Sequence, residues 1–291
     1  MPLQPRLSRR AFTALALGAP LLVPRPTAAA RITAGDVLMR LRSALGPAWR
    51  EGAVDGIAAG SSSTAVTGIA TTALASLAVL KQAVAAGANV VVTLEPPFYA
   101  ARQEVPDTGA DAVLAAKQAF IAAHTIVIIR LRDSWRAYRP DPMAEGLGDA
   151  LGWRAHRAGA DPMRYDLPPA PLDALVRHVQ RSLGTRGGLR VVGRPEATVR
   201  RVALLPGATP LAAMLDVLPR ADVVVAGEVR EWESVEYARD AIHAGAASGL
   251  VLVGRVVSEE PGMRACAAWL AGVVPDVPVR HLGAGDPYWR P

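Results

Sequence analysis

Apolar and polar positions along this chain follow two periods that take turns. Over 32–45 apolar residues recur at helical spacing, with Leu38, Leu41 and Leu45 on one face. Residues 64–70 are β-rich. Residues 72–86 predict a helix that stops at Gly87, a residue suited to the left-handed turn that ends helices. Residues 90–93 form a short unbroken apolar run, the pattern of a strand buried on both faces. A helix is predicted over 111–123 and another buried strand over 125–130. Residues 136–171, rich in Pro, Gly and Arg, read as linker-like loop with one short helix, and 171–183 as a helix.

The second half repeats the scheme. Strands are predicted at 202–205, 223–226, 250–253 and 277–281, and helices at 211–218, 231–244 and 261–271. Strands alternating with helices predict βαβ units, hence an α/β fold with mainly parallel sheets flanked by helices. Ala88-Asn-Val-Val-Val-Thr-Leu-Glu95 echoes Ala221-Asp-Val-Val-Val-Ala-Gly-Glu228, with alanine, three valines and glutamate in one frame. Two similar lobes are therefore expected, roughly 31–150 and 185–291.

Composition sharpens the picture mainly at the N-terminus. The chain has 291 residues, 51% hydrophobic and 20% charged, which is enough apolar content for a substantial core. Residues 7–12 read Leu-Ser-Arg-Arg-Ala-Phe, followed by an apolar run from Ala14 to Val23 and an Ala-x-Ala pattern ending at Ala30. Residues 1–30 are accordingly expected to be a twin-arginine export signal and 31–291 the exported domain, periplasmic or extracellular. The run is too short to span a bilayer, and no membrane association is expected after cleavage. The formal charge of +6 owes much to this segment. It holds four of the 32 basic residues and no acid, which leaves 28 basic against 26 acidic residues. No clustered basic patch argues for nucleic acid. Cys266 is the sole cysteine, so neither an intrachain disulfide nor a thiolate metal cluster can form, and an apolar helix around it predicts a buried thiol.

Ligands of α/β sheets bind beyond the carboxyl ends of the strands. The residues there are Leu94-Glu95, Arg132-Asp133, Gly227-Glu228 and Gly254-Arg255, with Glu259 nearby. Glu95, Asp133, Glu228 and Glu259 are candidates to converge. Such carboxylates suit a hard divalent cation. They equally suit an ion-pair network in which Arg132 and Arg255 supply the positive charge. Glu259 has a further reading, as an acid near the N-terminus of a helix starting at Pro261. No Gly-x-Ser-x-Gly or His-Glu-x-x-His motif occurs, and the glycines at 146, 148 and 152 lack phosphate-loop spacing. Of the five histidines, only His281 lies where a final loop brings it near such a site.

At these residues the chain resembles the Nif-three-like family, dinuclear-metal-centre hexamers often labelled GTP cyclohydrolase I type 2 homologues. The resemblance runs from Ile32 to Trp289. It is carried by Val54-Asp-Gly-Ile57, Thr93-Leu-Glu-Pro-Pro-Phe-Tyr99, Ile129-Arg-Leu-Arg-Asp-Ser-Trp135, Ala226 to Tyr237, Val253 to Met263 and Gly283-Ala-Gly-Asp-Pro287. It implies two similar α/β lobes, a toroidal homo-hexamer and two metal ions. Of the implied ligands, Glu95, Asp133 and Glu259 match. The histidine positions hold Leu94, Arg132 and Arg255 instead. Leucine cannot ligate, and arginine offers no lone pair.

Two functions follow. One is a metal-free binding or scaffold protein with a degenerate centre, its arginines replacing the metals or binding an anionic small molecule. The other is a metal-dependent hydrolase of a small or nucleotide-like substrate. In it, Glu95, Asp133 and Glu259 hold the ion and Glu228 acts as acid or base.

Overall fold

The computed structural model describes residues 31–52, 54–99 and 111–289. The export-signal reading falls on residues 1–30 and lies outside the described residues. Among the described residues ten strands form two five-stranded sheets. The first sheet holds β1 (Gly56–Ala59), β2 (Ile69–Thr72), β3 (Val90–Thr93), β4 (Val127–Arg130) and β10 (Val279–His281), in the order β1-β4-β3-β2-β10. The second holds β5 (Arg164–Pro171), β6 (Arg190–Gly193), β7 (Thr198–Ala208), β8 (Val223–Glu228) and β9 (Gly249–Leu252), in the order β5-β7-β8-β9-β6. The helices are α1 (Ala34–Leu45), α2 (Leu77–Ala85), α3 (Ala112–Ala123), α4 (Asp133–Ala137), α5 (Pro142–Ala150), α6 (Leu172–Leu183), α7 (Leu211–Val217), α8 (Glu236–His243) and α9 (Arg255–Val273).

The two halves share one topology. A helix and an antiparallel edge strand lead into three parallel strands joined by helices: α1-β1-β2-α2-β3-α3-β4 in one half and α6-β6-β7-α7-β8-α8-β9 in the other. The echoed Val-Val-Val segments are β3 and β8, the central strand of each sheet. Central parallel strands are covered on both faces, so they require unbroken apolar runs. Val90, Val91 and Val92 are wholly buried, as are Val223, Val224 and Val225. In the first sheet Val90, Val92, Val127 and Ile129 face a core shared with α1 and α9, while Val91 and Ile128 face Leu80 and Leu114 from α2 and α3. Each such side chain contributes about 1.5–3 kcal/mol.

Three expectations are corrected. The last strand, β10, pairs in parallel with β2 of the first sheet, so the C-terminal segment does not stay in the second lobe. The segment read as linker holds, besides the short helix expected there (α5), the edge strand β5, which opens the second sheet. Its prolines at 168, 169 and 171 obscure the strand, but proline is tolerated at a sheet edge. The helix expected to begin at Pro261 begins at Arg255, after Gly254 at φ 92°, and carries Pro261 inside it. Glu259 thus sits in the second turn, beyond the favourable helix N-terminus.

That helix, α9, is the spine of the molecule. It packs on β2 and β10 of the first sheet and on β7 and β8 of the second. Being covered on several sides, it shows no amphipathic stripe. Alongside it runs α5, and the two approach at Gly146 and Gly262, where any Cβ would strike the neighbouring helix. Cys266 lies wholly buried on α9, where burial pushes its thiol up to about 12. In the native protein at pH 8 a thiol reagent is therefore expected to label Cys266 at least a thousandfold more slowly, to order of magnitude, than in the denatured chain. Rapid native labelling, followed by mass spectrometry, would contradict the buried spine.

Candidate functional site

The carboxyl ends of the two sheets meet over one charge cluster, built from the turns after β3, β4 and β9. Glu95 follows β3 and is buried, its backbone N–H donating to the Ala73 carbonyl at 3.3 Å. Arg132 follows β4 and opens α4. The backbone N–H groups of Arg132, Asp133 and Ser134 donate to the Asp55 carboxylate at 2.6, 3.2 and 2.7 Å. Asp55 thus occupies the donors that a short helix leaves unmet. It also fixes where the side chains of Arg132 and Arg136 depart.

Four guanidinium groups enter the cluster. Arg255 Nη2 donates to Glu95 Oε1, and Arg255 Nε lies 3.8 Å from Glu259 Oε2. Arg132 Nε lies 3.6 Å from Glu95 Oε1, and its Nη1 donates to Asp133 Oδ1 at 3.3 Å. Arg136 Nη2 donates to Glu259 Oε1 at 2.8 Å and to the Pro206 carbonyl at 3.2 Å. Arg130, buried below them, donates through Nε to the Leu94 carbonyl at 3.2 Å. With Asp55, Glu95, Asp133 and Glu259 as counter-charges, the cluster neutralises itself.

Glu259 is the most enclosed of these groups, at 1% exposure. Burial raises its pKa above the ordinary 4.5, and nearby Glu95 adds to the rise, against the opposing pull of Arg136 and Arg255. Glu259 Oε2 and the Nε atoms of Arg132, Arg136 and Arg255 are buried without a hydrogen-bond partner among the described residues. Two glycines let the strands approach. Gly207 has φ +83°, and a Cβ there would collide with Arg136 Nη2 and Glu259 Oε1. A Cβ at Gly227 would collide with Ser258 Oγ. That hydroxyl accepts from the Gly207 N–H at 2.9 Å and donates to the Arg255 carbonyl at 2.6 Å.

The structure therefore brings Glu95, Glu259, Arg132 and Arg255 together. Asp133 stands at the margin, and among the described residues its carboxylate pairs with Arg132 alone. Glu228 ends β8 with an exposed side chain that makes no ion pair or hydrogen bond among the described residues. Leu94 is wholly buried in the core of the first lobe. The close partner of Glu259 is Arg136; Arg255, four residues before it, makes the longer contact. Sequence reasoning missed Arg136, Asp55, Arg130 and Ser258. Arg136 was open to detection, since it lies one helical turn beyond Arg132. His281 pairs outside the cluster, with Glu260 Oε2 at 2.7 Å and Thr71 Oγ1 at 3.3 Å. Among the described residues no three His, Cys, Asp or Glu side chains are grouped as for a metal ion.

Residues 139–282 match the sequence pattern of the family described as Duf34/NIF3 (NGG1p interacting factor 3). Among solved structures, protein ybgI, titled as of unknown function, is 21% identical, with TM-score 0.69 over 88% of this chain and 99% of that one. The Staphylococcus aureus hypothetical protein SA1388 is 14% identical, with TM-score 0.68 over 90% of this chain and 100% of that one. A Bacillus cereus protein related to NIF3 is 14% identical, with TM-score 0.64 over 89% of this chain and 99% of that one. At these identities the likeness is one of fold. No curated protein sequence matches the chain.

Two outcomes test the geometry. Gly207→Ala is expected to lower stability by about 2–4 kcal/mol in urea unfolding, through strain at positive φ and displacement of the Arg136–Glu259 pair. A neutral result would show that the cradle is loose. Glu259 has a raised pKa in the folded state, so its contribution is fully present below 4.5 and is lost as pH rises through the folded value. Relative to wild type, Glu259→Gln should therefore gain stability as pH rises from 4.5 to 7, measured as the difference in melting temperature. A difference that stays constant, or runs the other way, contradicts the assignment.

Proposed function

Residues 139–282 match the Duf34/NIF3 family, and we propose that the chain is a member of it that acts as a binding or scaffold protein whose arginines stand in place of a metal centre. The observation that carries this reading is Arg255, which donates to Glu95 and lies within ion-pair distance of Glu259. These two carboxylates would otherwise be the natural ligands of a divalent ion. The donor set does not suit such an ion. Leu94 and the arginines have no lone pair to offer. A guanidinium 4 Å from a divalent ion is opposed by about 8 kcal/mol at an effective dielectric near 20, twice the unit-charge value. That offsets what one carboxylate at the same distance supplies.

Charge balance favours the clamp over direct anion binding at this spot, because the carboxylates already match the guanidiniums. The hydrolase alternative finds less support. Glu228, its acid or base, stands exposed and outside the cluster. Export belongs to the same reading, supported by the Ser8-Arg9-Arg10 motif. So does self-assembly into a homo-oligomer, which rests on the family resemblance.

Elemental analysis of the purified full chain tests the proposal. Transition metal well below one equivalent per chain is expected, and near-stoichiometric metal would overturn it. As a positive control, Arg132→His with Arg255→His should gain zinc affinity. Leu94 is a poor position for restoration, since an imidazole there would be buried in the core.

A further inference from the structure

A second concavity lies apart from the arginine cluster. It is a groove of about 1010 Å³ between α5, α9, the end of α6 and the C-terminal segment 283–286. That volume is at the upper end of the small-molecule range. Three carboxylates and two arginines stand on its wall, and their engagement differs. Asp149 takes Arg154 on both oxygens. Glu260 accepts from the Ala284 N–H at 2.6 Å and pairs with His281. Asp286 accepts the backbone N–H groups of Arg186 at 3.1 Å, Gly187 at 2.9 Å and Tyr288 at 3.0 Å. The acids are thus spent on holding the walls together. The guanidinium groups of Arg186 and Arg264 form no hydrogen bond or ion pair among the described residues.

The helix in the groove wall is interrupted in its hydrogen bonding. Pro261 has no N–H, so the Val257 carbonyl loses the donor that an unbroken helix would give it. Both residues line the groove. The remaining wall of α9 is small, Ala265 and Ala268, and leaves room beside the two arginines. Uncommitted guanidiniums in a concave site select phosphate or carboxylate groups, which they can grip bidentately.

We propose that this groove binds a small organic molecule carrying two or more phosphate or carboxylate groups, held by Arg186 and Arg264. The site is independent of the arginine cluster, because neither residue touches Glu95 or Glu259. Titration calorimetry of the full chain at low ionic strength, with inorganic pyrophosphate and with citrate, tests it. Saturable binding of at least one probe is expected, and which probe binds tells phosphate from carboxylate. Arg264→Ala and Arg186→Ala should each weaken binding by roughly tenfold, the loss of one charge-assisted hydrogen bond. Arg264→Glu should abolish it. Arg239→Ala, on the surface of α8, should leave it unchanged. The proposal is overturned if neither probe binds at about 10 mM, a very weak limit. It is also overturned if the groove variants bind as wild type does. A third contrary result is a groove variant that changes the sedimentation mass while anion binding persists, which would make the groove a contact between copies.

Discussion

Buried carboxylates must be paired, and in this protein the pairing joins the two halves. Glu95 stands at the end of the first sheet and Glu259 in the helix that follows the second. Neither can be left alone, because an unpaired buried charge costs several kcal/mol. Arg255 reaches from the second half to Glu95, and Arg136 reaches from the first half to Glu259 and the Pro206 carbonyl. The exchange is reciprocal. Each half supplies the cation that satisfies the other's acid.

This exchange sets demands on the surrounding chain. Gly207 must lack a side chain for Arg136 to pass, and Asp55 must hold the start of α4 so that Arg136 departs in the right direction. The spine helix must begin at Arg255 for one helical turn to separate that residue from Glu259. Starting there places Pro261 within the helix. Val257, whose carbonyl is thereby released, and Pro261 both line the groove, so the helix that carries the clamp also forms a wall of the second concavity.

Much of this was legible in the sequence where local pattern decides. The Val-Val-Val runs at 90–92 and 223–225 announced central strands, and their echo announced the duplicated topology that the sheet orders display. Glu95, Arg132, Arg255 and Glu259 were legible as a group because strand ends gather ligands. What escaped was non-local. No periodicity reveals that three residues at 279–281 cross back to pair with β2. Pro261 looked like a helix start because proline favours first turns, yet dense packing against α5 holds it inside. Arg136 escaped because the segment containing it was read as loop, which hides the one-turn relation to Arg132.

The central claim is that guanidinium groups do the neutralising that divalent ions would otherwise do. A bound metal stabilises the folded state in proportion to its occupancy, so removing it must lower the melting temperature. The direct measurement is the melting temperature of the full chain after exhaustive chelation, compared with the same protein in excess zinc or manganese. Equal melting temperatures are expected. A fall on chelation that either ion reverses would contradict the account.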